Sequence, residues 1–447
     1  MLGNRLTTAF RHPNPDLQSS WNLAQLGLFI FPLSPFLGAV TMGVASLKTW
    51  LRQHRIINRR PLNWGFALLG VLLIITSACA DNKTEAFLGL FNFLPFLLFF
   101  AGFSALVQTP TQLRQLSWNL VISSVPVVLF GFGQLFLGLT FKLEVLWIVL
   151  ELNIAPQGDP PGRMASIFMH ANTLGAYLMI VFILGLGLWL DSYQQLREQG
   201  YRETGGERVR GKISPLSSLL FLTAVLIANF VALILTNSRN AWAIAIGACF
   251  FYAVYQGWRI LVAGVSAVVA SVMLAAFAPS PIAVIFRKVV PAFFWARLND
   301  QMYPDRPTAL MRKTQWQFAW SLAQQRPWTG WGLRNFTALY KEQMQIRLGH
   351  PHNLFLMLSA ETGLPATLLY SGLLGWILFA GVQLQKSKDI DHEDKLILFS
   401  YLLVLIGWVL FNTADVTLFD FRLNTLSWLL FAALCGVVYR YNQHSKL

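Results

Sequence analysis

Arg239 lies in the tripeptide Ser238-Arg239-Asn240, between two long apolar runs. A cation so placed costs about 2.5–3.5 kcal/mol at mid-span and less near an interface. A lysine would anchor a membrane surface equally well, whereas the guanidinium's fixed fork of donors suits a phosphate. The second set is His350-Pro351-His352-Asn353, which opens an apolar helix containing Leu354, Phe355, Leu356 and Leu358. A helix N-terminus welcomes an anion, and imidazole exchanges a proton near neutrality. Treated as helical, the two histidines point about 200° apart, so one of them reaches a given site. No third ligand stands at a metal-site spacing, so no metal is expected. Arg163 and His170, seven residues apart, fall on one helix face with Asn172 nearby. Lining a site and packing through interhelical hydrogen bonds explain them equally well. Glu361 follows His352 by nine residues, about half a turn out of phase, so a direct Glu–His pair is not expected. Pro327-Trp328-Thr329-Gly330-Trp331-Gly332 reads as a tight turn that lets the backbone approach something closely.

The elements that must position these residues follow from composition. Of 447 residues, 55% are hydrophobic and 12% charged, with mean hydropathy +0.51. Soluble domains carry about 25% charged residues. That excludes a soluble enzyme, a disordered chain and a disulfide-stapled module, and leaves a polytopic all-α membrane protein. Cys79, Cys249 and Cys435 sit in apolar runs and act as small hydrophobes. No cleavable signal peptide is expected, and no internal repeat of the kind that builds many transporters stands out. The net charge of +14 is assigned to cytoplasmic loops, lipid headgroups and phosphates, not to nucleic acid.

Apolar runs at 21–47, 62–80, 86–107, 115–138, 165–190, 214–236, 241–257, 260–278, 353–385, 396–413 and 424–439 have the length of membrane spans. The first contains Pro32 and Pro35 between two basic flanks, so it is expected to be a hairpin of two short helices, giving about 12 segments. Segment 48–60 carries five Lys/Arg and no acid, and is placed in the cytoplasm. Counting onward puts both termini inside, and 81–85, 139–164, 238–240, 279–352 and 414–423 outside. The expected organisation is an N-terminal bundle over 1–278, a large periplasmic loop with short amphipathic helices over 279–352, and C-terminal spans over 353–447, integrated as one domain. That loop holds Arg287, Lys288, Arg297, Arg306, Arg312, Lys313, Arg326, Arg334, Lys341 and Arg347 against Asp300, Asp305 and Glu342, net +7. Long loops are exempt from the orientation rule, but such an excess also suits an anion-binding vestibule.

Several segments together resemble the O-antigen ligase and O-antigen polymerase-like family of bacterial membrane proteins, and cyanobacterial members in particular. They are Arg163…His170-Ala171-Asn172, Thr236-Asn237-Ser238-Arg239, Arg312-x3-Trp316, the 327–332 turn, and His352-Asn353-x9-Gly363. The chain departs at Ala171, where Pro is frequent, and at Ala366. The resemblance implies a GT-C-like helical protein of the inner membrane that transfers a glycan from an undecaprenyl-diphosphate-linked donor to a lipid or glycan acceptor hydroxyl, without metal or cofactor. Arg239 and Arg312 would hold the diphosphate and His352 would be catalytic, with Arg163, His170, Asn172, Ser238, His350, Asn353 and Glu361 as supporting candidates. The competing class is an anion (bicarbonate) transporter or transport accessory, which a basic vestibule also fits.

Overall fold

A computed structural model describes residues 11–145, 150–204, 215–299 and 307–444. The chain is a helical bundle. Helices α1 (Gln18–Ile30) and α2 (Pro35–Asn58) lead to α3 (Pro61–Ala78), a short α4 (Lys83–Gly89), α5 (Leu94–Leu106) and α6 (Pro110–Phe136). An antiparallel hairpin of β1 (Phe141–Val145) and β2 (Leu150–Ile154) interrupts the helices. Then come α7 (Ala171–Thr204), α8 (Pro215–Leu235), α9 (Arg239–Tyr255) and α10 (Arg259–Phe277). The long basic segment folds into α11 (Ser280–Arg287), α12 (Ala292–Leu298), α13 (Arg312–Gln325) and α14 (Phe336–Met344). The chain closes with α15 (Leu354–Lys386), α16 (His392–Asn412) and α17 (Phe421–His444).

Among the described residues nine helical stretches are long and apolar enough to cross a membrane. The other three expected segments, α1, α2 and α9, are present as helices but are shorter or more polar than that standard. The break expected in 21–47 is present: α1 ends at Ile30, and Ser34 caps α2 by accepting from Leu37 N–H. Proline at the first or second position opens α2, α3, α5 and α6, where its missing N–H costs nothing. At α6 the Thr109–Gln112 capping box satisfies further orphan donors.

Contacts sort the loops onto two ends. At one end Arg114 bridges Asp191 at 3.0 Å and Asp394 at 3.3 Å, tying α6, α7 and α16 together. At the same end His12 contacts the Leu106 carbonyl and Arg440 donates to Gln108. At the other end Asp81 pairs with Arg326 at 2.7 Å, Glu85 with Arg334 at 3.1 Å, and Asn172 donates to Asp415. The alternation read from charge thus corresponds to a real grouping of loops.

The described parts of the 279–352 segment lie against the second end, where Phe318, Leu322, Phe336 and Tyr340 form a small core with Ala360 of α15. What locks them there is a break in α15. Gly363 has φ 76°, which interrupts the helix, and Pro365 has no N–H to return to the Glu361 carbonyl. The 327–332 turn repairs the gap. Trp331 N–H donates to the Ala360 carbonyl at 2.9 Å and Gly332 N–H to the Glu361 carbonyl at 2.8 Å, while Leu364 N–H donates to the Pro327 carbonyl at 2.7 Å. A Cβ on Gly330 would lie 2.4 Å from the Glu361 carbonyl carbon, and one on Gly363 would lie 2.5 Å from the Trp328 oxygen. Gly363→Ala therefore combines left-handed strain with a backbone clash and should cost about 2–3 kcal/mol. Thermal unfolding of purified protein in detergent should show the lower melting temperature, with a smaller loss for Gly372→Ala, where a Cβ meets open space.

Candidate functional site

The site forms where four loops meet at the second end of the bundle. The turn between α16 and α17 carries Asp415, which is 8% exposed. Its Oδ1 accepts from Val416 N–H at 2.9 Å and lies 3.1 Å from His352 Nδ1. Its Oδ2 accepts from Asn172 Nδ2 at 3.2 Å. Burial would raise the carboxyl, but the His352 hydrogen bond and the histidines' field outweigh it and hold Asp415 below the usual carboxylate range.

The two histidines converge, contrary to the helical-wheel expectation. The helix begins only at Leu354, capped by Asn353, whose Oδ1 accepts from Leu356 N–H at 3.0 Å. His352 itself is left-handed, with φ 52°, a strained conformation that costs roughly 1–3 kcal/mol and clusters at functional sites. The turn brings the imidazole centroids to 4.5 Å. His350 Nδ1 accepts from His352 N–H at 3.2 Å, which assigns its proton to Nε2. Burial first, and then the neighbouring His352, push His350 down to about 4, against the opposing pull of Asp415. In the tautomer whose Nδ1–H donates to Asp415, the lone pair of the His352 ring is on Nε2.

Arg163 is not on a helix face shared with His170. Residues 163–170 form a loop with a single turn at Ser166–Phe168, and α7 starts at Ala171. From that loop Arg163 Nε donates to the Thr236 carbonyl at 2.8 Å and Nη2 to Asn172 Oδ1 at 2.5 Å. A chain of bonds thus runs from Thr236 through Arg163 and Asn172 to Asp415 and His352. His170 is exposed, and its Nδ1 accepts from Asn172 N–H at 3.2 Å. Arg312, the first residue of α13, donates to the Ala414 carbonyl next to Asp415, and its charge also depresses His350. Arg239 opens α9 with an exposed side chain. Its neighbour Asn240 donates to the Phe411 carbonyl at 2.8 Å, and buried Ser238 packs on Gly175. These contacts seat the α9 N-terminus one turn of chain from the Asp415 loop.

Glu361 is buried and turned toward the loop layer, where its Oε1 accepts from Phe336 N–H at 3.2 Å at the start of α14; in keeping with its helical phase, it does not pair with the histidines. The basic loop is less open than its charge suggests. Arg326 and Arg334 are paired with Asp81 and Glu85, and Arg287 stacks on Trp295 at 4.2 Å while donating to the Ala275 carbonyl. Asp300, Asp305 and Arg306 lie outside the described residues.

Sequence reasoning missed Asp415. It stands 63 positions from His352 in a segment read only as a connection, and its one signal was an acid flanked by apolar spans. It supplies the third donor-type group absent from the sequence reading: ligating atoms of His350, His352 and Asp415 lie within 4.8 Å of one another. The same atoms form a hydrogen-bonded network. Asp415 already meets three donors, and His350 presents Nε2–H toward it at 4.0 Å.

A polytopic helical membrane protein with a polar His–Asp–Arg cluster at one end of its bundle is the class this geometry defines. Residues 222–371 match the family described as O-antigen ligase, so over that stretch the chain is similar to it. The match includes Arg239, Arg312, the 327–332 turn and His352; Arg163, Asn172 and Asp415 lie outside it. No curated protein matches the chain.

The depressed His350 predicts a pH dependence of stability. Above its ordinary value of 6.5 folded and unfolded chains both hold it neutral. As pH falls toward about 4 the unfolded chain takes up a proton that the folded chain refuses, so stability declines through that window. Melting temperatures between pH 7.5 and 5 should fall less steeply for His350→Gln than for the unmodified protein.

Proposed function

We propose that the chain is a glycan-transferring enzyme of a bacterial inner membrane, with about 12 segments, both termini cytoplasmic and the Asp415 end periplasmic. The donor is a glycan on a lipid diphosphate, of the undecaprenyl class, and the acceptor is a hydroxyl of a lipid or glycan. The observation that carries this reading is the hydrogen bond between His352 and buried Asp415, with arginines on the same rim, inside or beside the O-antigen ligase-like stretch.

The chemistry follows from the charges. A lipid diphosphate is a good leaving group, so catalysis needs cations where its charge develops and a base for the acceptor. Asp415 keeps the proton of His352 on Nδ1 and leaves Nε2 to accept the hydroxyl proton, as a carboxylate does in a catalytic triad. The acceptor oxygen then bonds to the anomeric carbon, the bond from that carbon to the diphosphate oxygen breaks, and the electron pair departs with the diphosphate. Arg239 and Arg312 neutralise that charge. Asn172 and Arg163 hold Asp415 in place, and His350, neutral at working pH, adds an N–H donor without competing for the proton.

The test is complementation of a deletion strain. His352→Ala and Asp415→Asn at normal expression should each lower transfer by about 100-fold or more, with lipid-linked glycan accumulating. Arg239→Ala should behave similarly. Treatment of purified, active protein with a chelator should leave the rate unchanged. Wild-type transfer by His352→Ala would overturn the assignment.

A further inference from the structure

A groove of about 500 Å³ opens on the flank of the bundle between α2 and α5, with Phe421 and Thr425 of α17 at its far end. It exists because α2 presents Ala39, Gly43 and Ser46 there; a Cβ on Gly43 would meet nothing within 4 Å. The few polar groups of the wall are already engaged. Trp50 Nε1 donates to the Leu98 carbonyl at 3.1 Å and Ser46 Oγ to the Phe99 carbonyl at 3.4 Å. What remains is apolar and opens outward past Leu47, Leu51 and Leu98, each at least 60% exposed. A hydrocarbon chain fits that chemistry, and the volume lies within the ordinary range of ligand pockets.

The other end of the groove is different. His54 lines it, just past a break in α2 at Gln53. Segment 48–60 carries Lys48, Arg52, Arg55, Arg59 and Arg60 without an acid. Lys48 is used by Ser19, and Arg60 is buried against Tyr439 and Ser104. Arg52, Arg55 and Arg59 are exposed, and among the described residues none of the three forms an ion pair with a carboxylate. An apolar groove that ends at an imidazole, in a turn of chain whose Arg52, Arg55 and Arg59 are exposed, matches one amphiphile, a chain attached to a phosphate.

We propose that this groove and the basic turn beside it bind an anionic diacyl phospholipid of the adjoining leaflet. One acyl chain would lie against Gly43, and the phosphate would meet His54, Arg52 and Arg55. Each cation near such a headgroup contributes enough for roughly a fivefold preference.

Native mass spectrometry of the full chain, with phosphatidylglycerol or phosphatidylcholine added in detergent, tests this. Wild type should retain phosphatidylglycerol preferentially. The double variant Arg52→Gln/Arg55→Gln should lose about 10- to 30-fold of that preference while retaining phosphatidylcholine as before. Gly43→Phe should reduce retention of both lipids, and Ala39→Leu is the milder variant should Gly43→Phe fail to fold, with melting temperature as the control. Equal retention of the two lipids by wild type would overturn the proposal, as would wild-type retention by a folded groove-filling variant.

Discussion

The ionised carboxylate of Asp415 constrains everything around it. Removing such a charge from water costs several kcal/mol even after relaxation, so it persists only where donors surround it. Three do so here, from Asn172, His352 and the Val416 main chain. Each commits an element. Asn172 is itself held by Arg163, which fixes the loop before α7 against the end of α8. His352 must leave helical geometry to reach the carboxylate, which is why α15 begins at Leu354 and not earlier. The strain at His352 and the burial of Asp415 are two parts of one arrangement, a histidine whose proton position is fixed before any substrate arrives.

That arrangement needs a stable platform, and the break in α15 supplies it. A continuous helix through Gly363 would satisfy its own carbonyls and offer nothing to the loop. With Gly363 left-handed and Pro365 lacking a donor, two carbonyls become available, and the 327–332 turn occupies them. The loop is thereby joined to a spanning helix through backbone bonds, which Gly330 and Gly363 permit by lacking a Cβ. The Asp81–Arg326 and Glu85–Arg334 pairs then tie it to a second pair of spans. Several cations that look like a vestibule in the sequence are therefore fasteners.

Architecture was legible because lipid leaves a chain few choices. Long apolar runs must become helices, and most of their boundaries agree with the observed elements to within about five residues; α2 and α7 run on past the apolar stretches to Asn58 and Thr204. Length and apolarity mark nine stretches among the described residues, and α1, α2 and α9 are shorter or more polar. Local geometry was less legible. Arg163 and His170 were placed on a helix face by spacing alone, whereas the chain there is a loop whose polar groups serve Thr236 and Asn172. His350 and His352 were separated by a helical period that does not apply before a cap. Asp415 could not be paired with His352 from sequence, since nothing local connects residues 63 positions apart. The turn at 327–332 was legible as an approach motif; its partner, the broken helix, was not.

Position also separates the competing functional classes. A transporter built around an anion would place its ionisable groups or broken helices near mid-membrane, where alternating access can reach them from both sides. Here the His–Asp cluster, the Arg312 contact and the α9 N-terminus all lie in loops at one end of the bundle, and the break in α15 is filled by backbone from a loop at that same end. The charged triad at the opposite end, Arg114 with Asp191 and Asp394, joins three helices. Such a layout suits a reaction carried out at one membrane surface on a substrate whose tail stays in the bilayer, and that is the geometry a lipid-linked donor requires.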